Sequence, residues 1–122
     1  MSAVLDSTVL IDVLRKRPEA RTYLRSLAHL PTCSEVTRVE ILTGLRSHER
    51  APAEQLFQLL HWEPVDERVA REAGEFGRRY RRSHGLGAAD LIVAATAKLA
   101  GLPVATSNVK HYPMFPRLKP PY

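Results

Sequence analysis

The 122-residue chain is 44% hydrophobic and 25% charged, with 18 basic against 13 acidic residues and a formal net charge of +5. That balance suits one soluble globular domain, residues 1–122, and favours a polyanionic partner. The lone Cys33 excludes an internal disulfide and a cysteine-cluster zinc site, and no apolar run approaches the ~20 residues needed to cross a bilayer.

Without a basic-then-apolar signal region, a cytoplasmic location and no membrane partner are expected. Residues 2–5 form a short apolar run, read as a strand. Asp6, Ser7 and Thr8 end it, leaving hydroxyls to cap a helix over about Val9–Arg15. Pro18 opens a second helix, with Tyr23, Leu24 and Leu27 recurring periodically. Thr32 and Cys33 read as a strand leading to Ser34, a good N-cap for a helix carrying Val36, Val39, Leu42 and Leu45. A helix over Ala53–Leu60 and a strand over Trp62–Val65 follow. Asp66 then caps a long charged helix to about Ser83. Residues 88–100 are apolar nearly all round, as in a buried helix; Gly101 stops it, and Pro103–Thr106 is another buried strand. The proline-rich tail should be irregular. Strands alternating with helices predict an α/β domain around a parallel sheet.

Three carboxylates interrupt this pattern. Asp6, Glu40 and Asp90 each stand on an apolar run, and only Arg38 is a close basic neighbour. A carboxylate in such a setting is costly unless something positive pairs with it. Strand logic brings the three together. Asp6 directly follows the first strand, Thr106-Ser107-Asn108 follow a later one, and Glu40 and Asp90 lie in helices leaving the same edge. Converging carboxylates call for a divalent cation, hence for phosphate chemistry. Singly each acid has a plainer role: Asp6 as a helix cap, Glu40 in a capping box with Thr37, Asp90 as a first-turn acid.

Other features carry less. Asp12 precedes Arg15 and Lys16 by three and four residues, the spacing of a surface helix pair. Gly85-Leu86-Gly87 lacks a third glycine and follows a charged helix, so it is no dinucleotide loop. The histidines at 29, 48, 61, 84 and 111 lack metal-ligand spacing. Arg78, Arg79, Arg81 and Arg82, around Tyr80, form the densest positive patch and fit phosphate contact better than a merely solvated face.

Four segments, in order, resemble the signatures of the PIN-domain family, and of its VapC-type ribonuclease toxins in particular. They are residues 5–12 (Leu-Asp-Ser-Thr-Val-Leu-Ile-Asp), 36–44 (Val-Thr-Arg-Val-Glu-Ile-Leu-Thr-Gly), 89–97 (Ala-Asp-Leu-Ile-Val-Ala-Ala-Thr-Ala) and 104–112 (Val-Ala-Thr-Ser-Asn-Val-Lys-His-Tyr). The resemblance covers essentially the whole chain. It implies a three-layer α/β/α Rossmann-like sandwich, Mg²⁺- or Mn²⁺-dependent endoribonuclease activity, and a homodimer neutralised by a small VapB-type antitoxin. By position, Asp6, Glu40 and Asp90 are the acidic metal-site and catalytic residues, and Thr106 and Asn108 match the polar motif after the last strand. The chain departs from the pattern at His111, where family members often carry a fourth acid.

The chemistry expected is hydrolysis of an RNA phosphodiester. Asp6 and Asp90 would hold the cation directly, Glu40 directly or through water, and Ser7, Thr106 and Asn108 would orient water or a phosphate oxygen. The alternative of another class is a PIN-like module that binds RNA or its antitoxin and cuts nothing. A phosphatase acting on a small substrate is a weaker enzyme alternative.

Overall fold

The computed structural model describes residues 2–122, except the side chains of residues 81–83. The chain enters through β1 (Val4–Leu5), turns at Asp6 into α1 (Ser7–Leu14) and returns through α2 (Pro18–Ser26). β2 (Thr32–Ser34) and α3 (Glu35–Gly44) follow, then a 3₁₀ turn over Ser47–Glu49 and α4 (Arg50–Phe57). β3 (His61–Glu63), α5 (Glu67–His84), α6 (Ala88–Ala100), β4 (Val104–Ala105) and a last 3₁₀ turn (Val109–His111) complete it.

The expected parallel sheet is present, in the order β3-β2-β1-β4, with Val4 opposite both Thr32 and Val104 and Leu5 opposite Ala105. Successive strand residues face opposite sides. Val4 and Val104 pack with α5 and α6, whereas Ala3, Leu5, Cys33 and Ala105 pack with α1 and α4. Helices thus cover both faces, giving the three layers. The order reverses between β1 and β4. In open α/β sheets a crevice forms at that point, beyond the carboxyl ends of the strands.

Four local differences from the sequence reading stand out. α4 begins at Arg50 rather than Ala53, because Pro52 is tolerated in a first turn whose amides need no intrahelical acceptor. β3 is His61–Glu63 rather than Trp62–Val65: it starts where the His61 amide donates to Pro31 O at 2.9 Å, and Pro64 has no amide to continue the ladder. On α3, Val39 and Leu42 are exposed (62% and 38%), and Thr37 and Ile41 are the buried pair. Asp12 pairs with Arg17 at 3.2 Å and accepts from the Tyr122 hydroxyl at 2.5 Å, rather than serving Arg15 and Lys16. The expected helix stop at Gly101 is present, with φ of +68° and its amide donating to Ala97 and Lys98 carbonyls.

Candidate active site

Asp6 is buried, at 4% exposure, because two elements meet there. Its amide donates to Ala105 O at 2.9 Å, tying the end of β1 to β4, while its side chain caps α1. Oδ1 accepts from the Ser7 amide at 2.8 Å. Oδ2 accepts from the Thr106 hydroxyl at 2.7 Å and, at 3.4 Å, from Thr8. Thr106 is fully buried, and its Oγ1 also accepts from the Asn108 amide at 2.9 Å. The Ser107 amide donates to Thr8 Oγ1 at 3.2 Å, closing a net that joins the ends of β1 and β4. Asp6 is therefore both a cap and a fixed acid. Asn108 enters through its backbone, and its residue is exposed.

Glu40 and Asp90 approach from the two sides. Glu40 is exposed along much of its length, yet its carboxyl is held above the ordinary range. Partial burial is the main cause, then the charges of Asp6 and Asp90, with the Ser7 hydroxyl opposing. Asp90, in the first turn of α6, is likewise raised by burial, then lowered by His111, raised by Asp6 and lowered by the Gly87 amide. His111 Nδ1 stands 3.4 Å from Asp90 Oδ2. Where the family pattern often has an acid, this chain therefore sets an imidazole against one of the three carboxylates. Arg38 does not serve Glu40: it pairs with Glu35 at 2.6 Å and lies 3.9 Å over the Trp62 ring.

Two roles here escaped the sequence reading. Thr8, expected only to help cap the helix, joins the net through Asp6, Thr106 and the Ser107 amide. Tyr112 is 1% exposed, with its ring in the apolar cluster on the α5–α6 face. Its hydroxyl reaches toward Asp6 without hydrogen-bond geometry, so no atom among the described residues accepts from it. Burial, then the charges of Asp6 and Asp90, push this phenol far up and keep it protonated. Nothing in Lys-His-Tyr-Pro marks such a residue. The Thr37 hydroxyl, one helical turn before Glu40, is the other buried side-chain oxygen without a partner among the described residues.

The donor set fits a hard divalent cation in kind: three carboxylates, neighbouring hydroxyls and no thiolate, since burial pushes the Cys33 thiol up to about 12. As they stand, no three His, Cys, Asp or Glu side chains among the described residues are grouped tightly enough to share one ion. The acids sense one another's charge but remain apart, as uncompensated carboxylates do, and would draw inward around a cation.

Residues 3–114 match the family model described as the PIN domain. The chain belongs to the PIN domain family. Two curated relatives from Mycobacterium tuberculosis extend the match. Ribonuclease VapC19 is 41% identical over 98% of both chains, and ribonuclease VapC10 is 42% identical over 98% of this chain and 92% of its own. A solved toxin–antitoxin complex from Klebsiella pneumoniae superposes with a TM-score of 0.83 at 25% identity, covering 98% of each chain.

In this PIN domain α5 and α6 pack as a hairpin, so the arginine-rich end of α5 lies at the α6 end that carries Asp90. Arg78 and Arg79 are exposed and form no ion pair among the described residues; the side chains of Arg81 and Arg82 lie outside those described. Arg71 pairs with Glu67 at 2.9 Å. The Tyr80 ring packs 6.4 Å from Phe76, against the core cluster. A groove of about 770 Å³ runs between α1, α2 and α4, lined by Leu14, Leu24, Leu56 and Leu59 with Arg21 and Arg25. A smaller cleft shares Leu14, Arg15 and Glu49 with it and reaches Glu40. No helix among the described residues is long and apolar enough to cross a membrane.

Proposed function

We propose that the chain is the toxin of a toxin–antitoxin pair, an endoribonuclease that hydrolyses RNA phosphodiester bonds with Mg²⁺ or Mn²⁺. The reading is supported by three carboxylates near the sheet's switch point that feel one another's charge: Glu40 is raised by burial, Asp6 and Asp90, and Asp90 by burial and Asp6. The names of the two curated relatives support the ribonuclease class.

Asp6, Asp90 and Glu40 are the residues that would hold the cation. When bound, it would supply polarisation of the phosphoryl group and a lower pKa for the attacking water. Thr106, the Ser7 amide and, more loosely, Thr8 restrain the Asp6 carboxylate before substrate arrives. Glu40, raised by burial and by the charges of Asp6 and Asp90, would take a proton from that water where it meets the cation through water. Ser7 and Asn108 would donate to a phosphate oxygen. Arg78, Arg79, Arg81 and Arg82 contribute affinity for the RNA backbone without reading its sequence. His111 replaces a negative charge and pairs with Asp90, which favours one cation over two.

The partner is a VapB-type antitoxin. Its apolar residues would fill the leucine-lined groove, and a basic side chain would follow the adjoining cleft toward the acids in place of the cation. A homodimer is part of the same proposal, with the exposed Val39 and Leu42 of α3 as its apolar contact.

Expression in cells tests this reading. The wild-type chain should arrest growth, Asp90→Asn should not, and co-expression of the antitoxin should restore growth. Equal toxicity of wild type and Asp90→Asn would show that binding rather than cutting is the activity, which is the rival reading.

A further inference from the structure

The Tyr112 hydroxyl is a feature of the crevice that the proposed chemistry leaves unused. It is buried, it lies near enough to Asp6, Asp90 and Glu40 to feel their charge, and no atom among the described residues accepts from it. A buried hydroxyl without a partner costs stability, and a core that kept it for packing alone would do better with phenylalanine. The apolar cluster around the ring asks for nothing polar. Only the edge facing Asp6 does.

The acceptor in reach is the Asp6 carboxylate. A carboxylate offers about four acceptor positions. Three donors already reach this one: the Ser7 amide at 2.8 Å and Thr106 at 2.7 Å are firm, and Thr8 at 3.4 Å is long. Thr8 also lies 3.5 Å from Thr106 Oγ1, so it has another partner to turn to. A small inward shift of the carboxylate would therefore exchange a long hydrogen bond for a good one.

We infer that Tyr112 is a positioning residue for cation binding: when the three acids draw together around a divalent ion, its hydroxyl donates to the Asp6 carboxylate and holds it in the coordinating orientation. The inference rests on the metal site proposed above. Its cost in the metal-free protein is the unsatisfied hydroxyl, and its return comes on loading. Partners that orient a metal-binding carboxylate commonly change affinity by 10–100-fold when removed.

The test compares the purified wild-type chain with Tyr112→Phe, which keeps the ring and deletes only the hydroxyl. Isothermal titration with Mn²⁺ should give a dissociation constant about tenfold or more weaker in the variant. Its melting temperature without metal should equal or exceed that of the wild type. Mn²⁺ affinity unchanged by the substitution would overturn the inference. So would a metal-free melting temperature several degrees lower, because the hydroxyl would then already be bonded in the resting fold. If the wild type itself takes up no Mn²⁺, the metal reading fails first, an outcome distinct from the other two.

Discussion

Asp6 and Asp90 play unequal parts, and substitution should separate them. Asp6 holds the end of β1, caps α1 and receives Thr106, so Asp6→Asn turns one acceptor into a donor facing donors. A loss of about 1 kcal/mol in metal-free stability is expected. Asp90 is raised by burial and by Asp6 and is partly relieved by His111, so Asp90→Asn removes a repelled charge and should leave metal-free stability equal or higher. Urea denaturation of both variants reads the difference; equal losses would contradict it. The pH dependence follows from the same shifts. Glu40 and Asp90 bind protons more tightly folded than unfolded, so their contribution to metal-free stability is largest below the ordinary carboxylate range. It is lost as pH rises through their raised values. Cation binding needs the ionised forms, so the melting-temperature gap between samples with and without Mn²⁺ should begin to close above that range as pH falls. A gap that holds constant down into the ordinary carboxylate range would contradict the shifts. The acids were legible because charge on an apolar run is conspicuous. Tyr112 was not, because a tyrosine among apolar residues looks like packing until its hydroxyl is located.

At the scale of elements, alternation and caps carried most of the reading. Ser34 accepts from the Val36 amide at 3.2 Å, Asp66 from the Val69 amide at 2.9 Å, and both helices start where those residues stand. What failed was the face of α3, where four apolar residues three apart suggested a core stripe. Three-residue spacing drifts around a helix of 3.6 residues per turn, and the buried face fell on Thr37 and Ile41. The α5–α6 hairpin depends on a feature that composition hides: a Cβ at Gly77 would stand 3.2 Å from Leu91 Cδ1, so glycine permits the close approach. That hairpin sets the arginine run beside the Asp90 end of α6. The exposed Arg71–Glu67 pair is worth a few tenths of a kcal/mol at about this exposure, too little to account for so dense a cluster. Replacing Arg78, Arg79, Arg81 and Arg82 by Gln should weaken RNA binding and flatten its salt dependence, by roughly 0.7 to 0.9 in log–log slope for each phosphate no longer neutralised. An unchanged slope would return the cluster to a solvated face.

For the whole molecule, a net charge of +5 sits around an acidic crevice, an arrangement that draws a polyanion to the surface and repels it at the centre unless a cation intervenes. The fold explains how both coexist: Asp6 stands where β1 and β4 end, with Glu40 and Asp90 near enough to feel its charge, and most of the basic residues lie on helices. An inhibitor of the proposed kind would have two handles, an apolar groove with basic walls and an adjoining cleft that carries Glu40 and Glu49. Cleavage of RNA by the purified chain tests the central claim most directly. With Mn²⁺ or Mg²⁺ the wild type should cut an RNA substrate, chelation should stop it, and folded Asp90→Asn should be slower by roughly 10²-fold or more, the scale of removing one preorganised electrostatic interaction. Cleavage that persists undiminished in folded Asp90→Asn, or in the presence of chelator, would contradict the account.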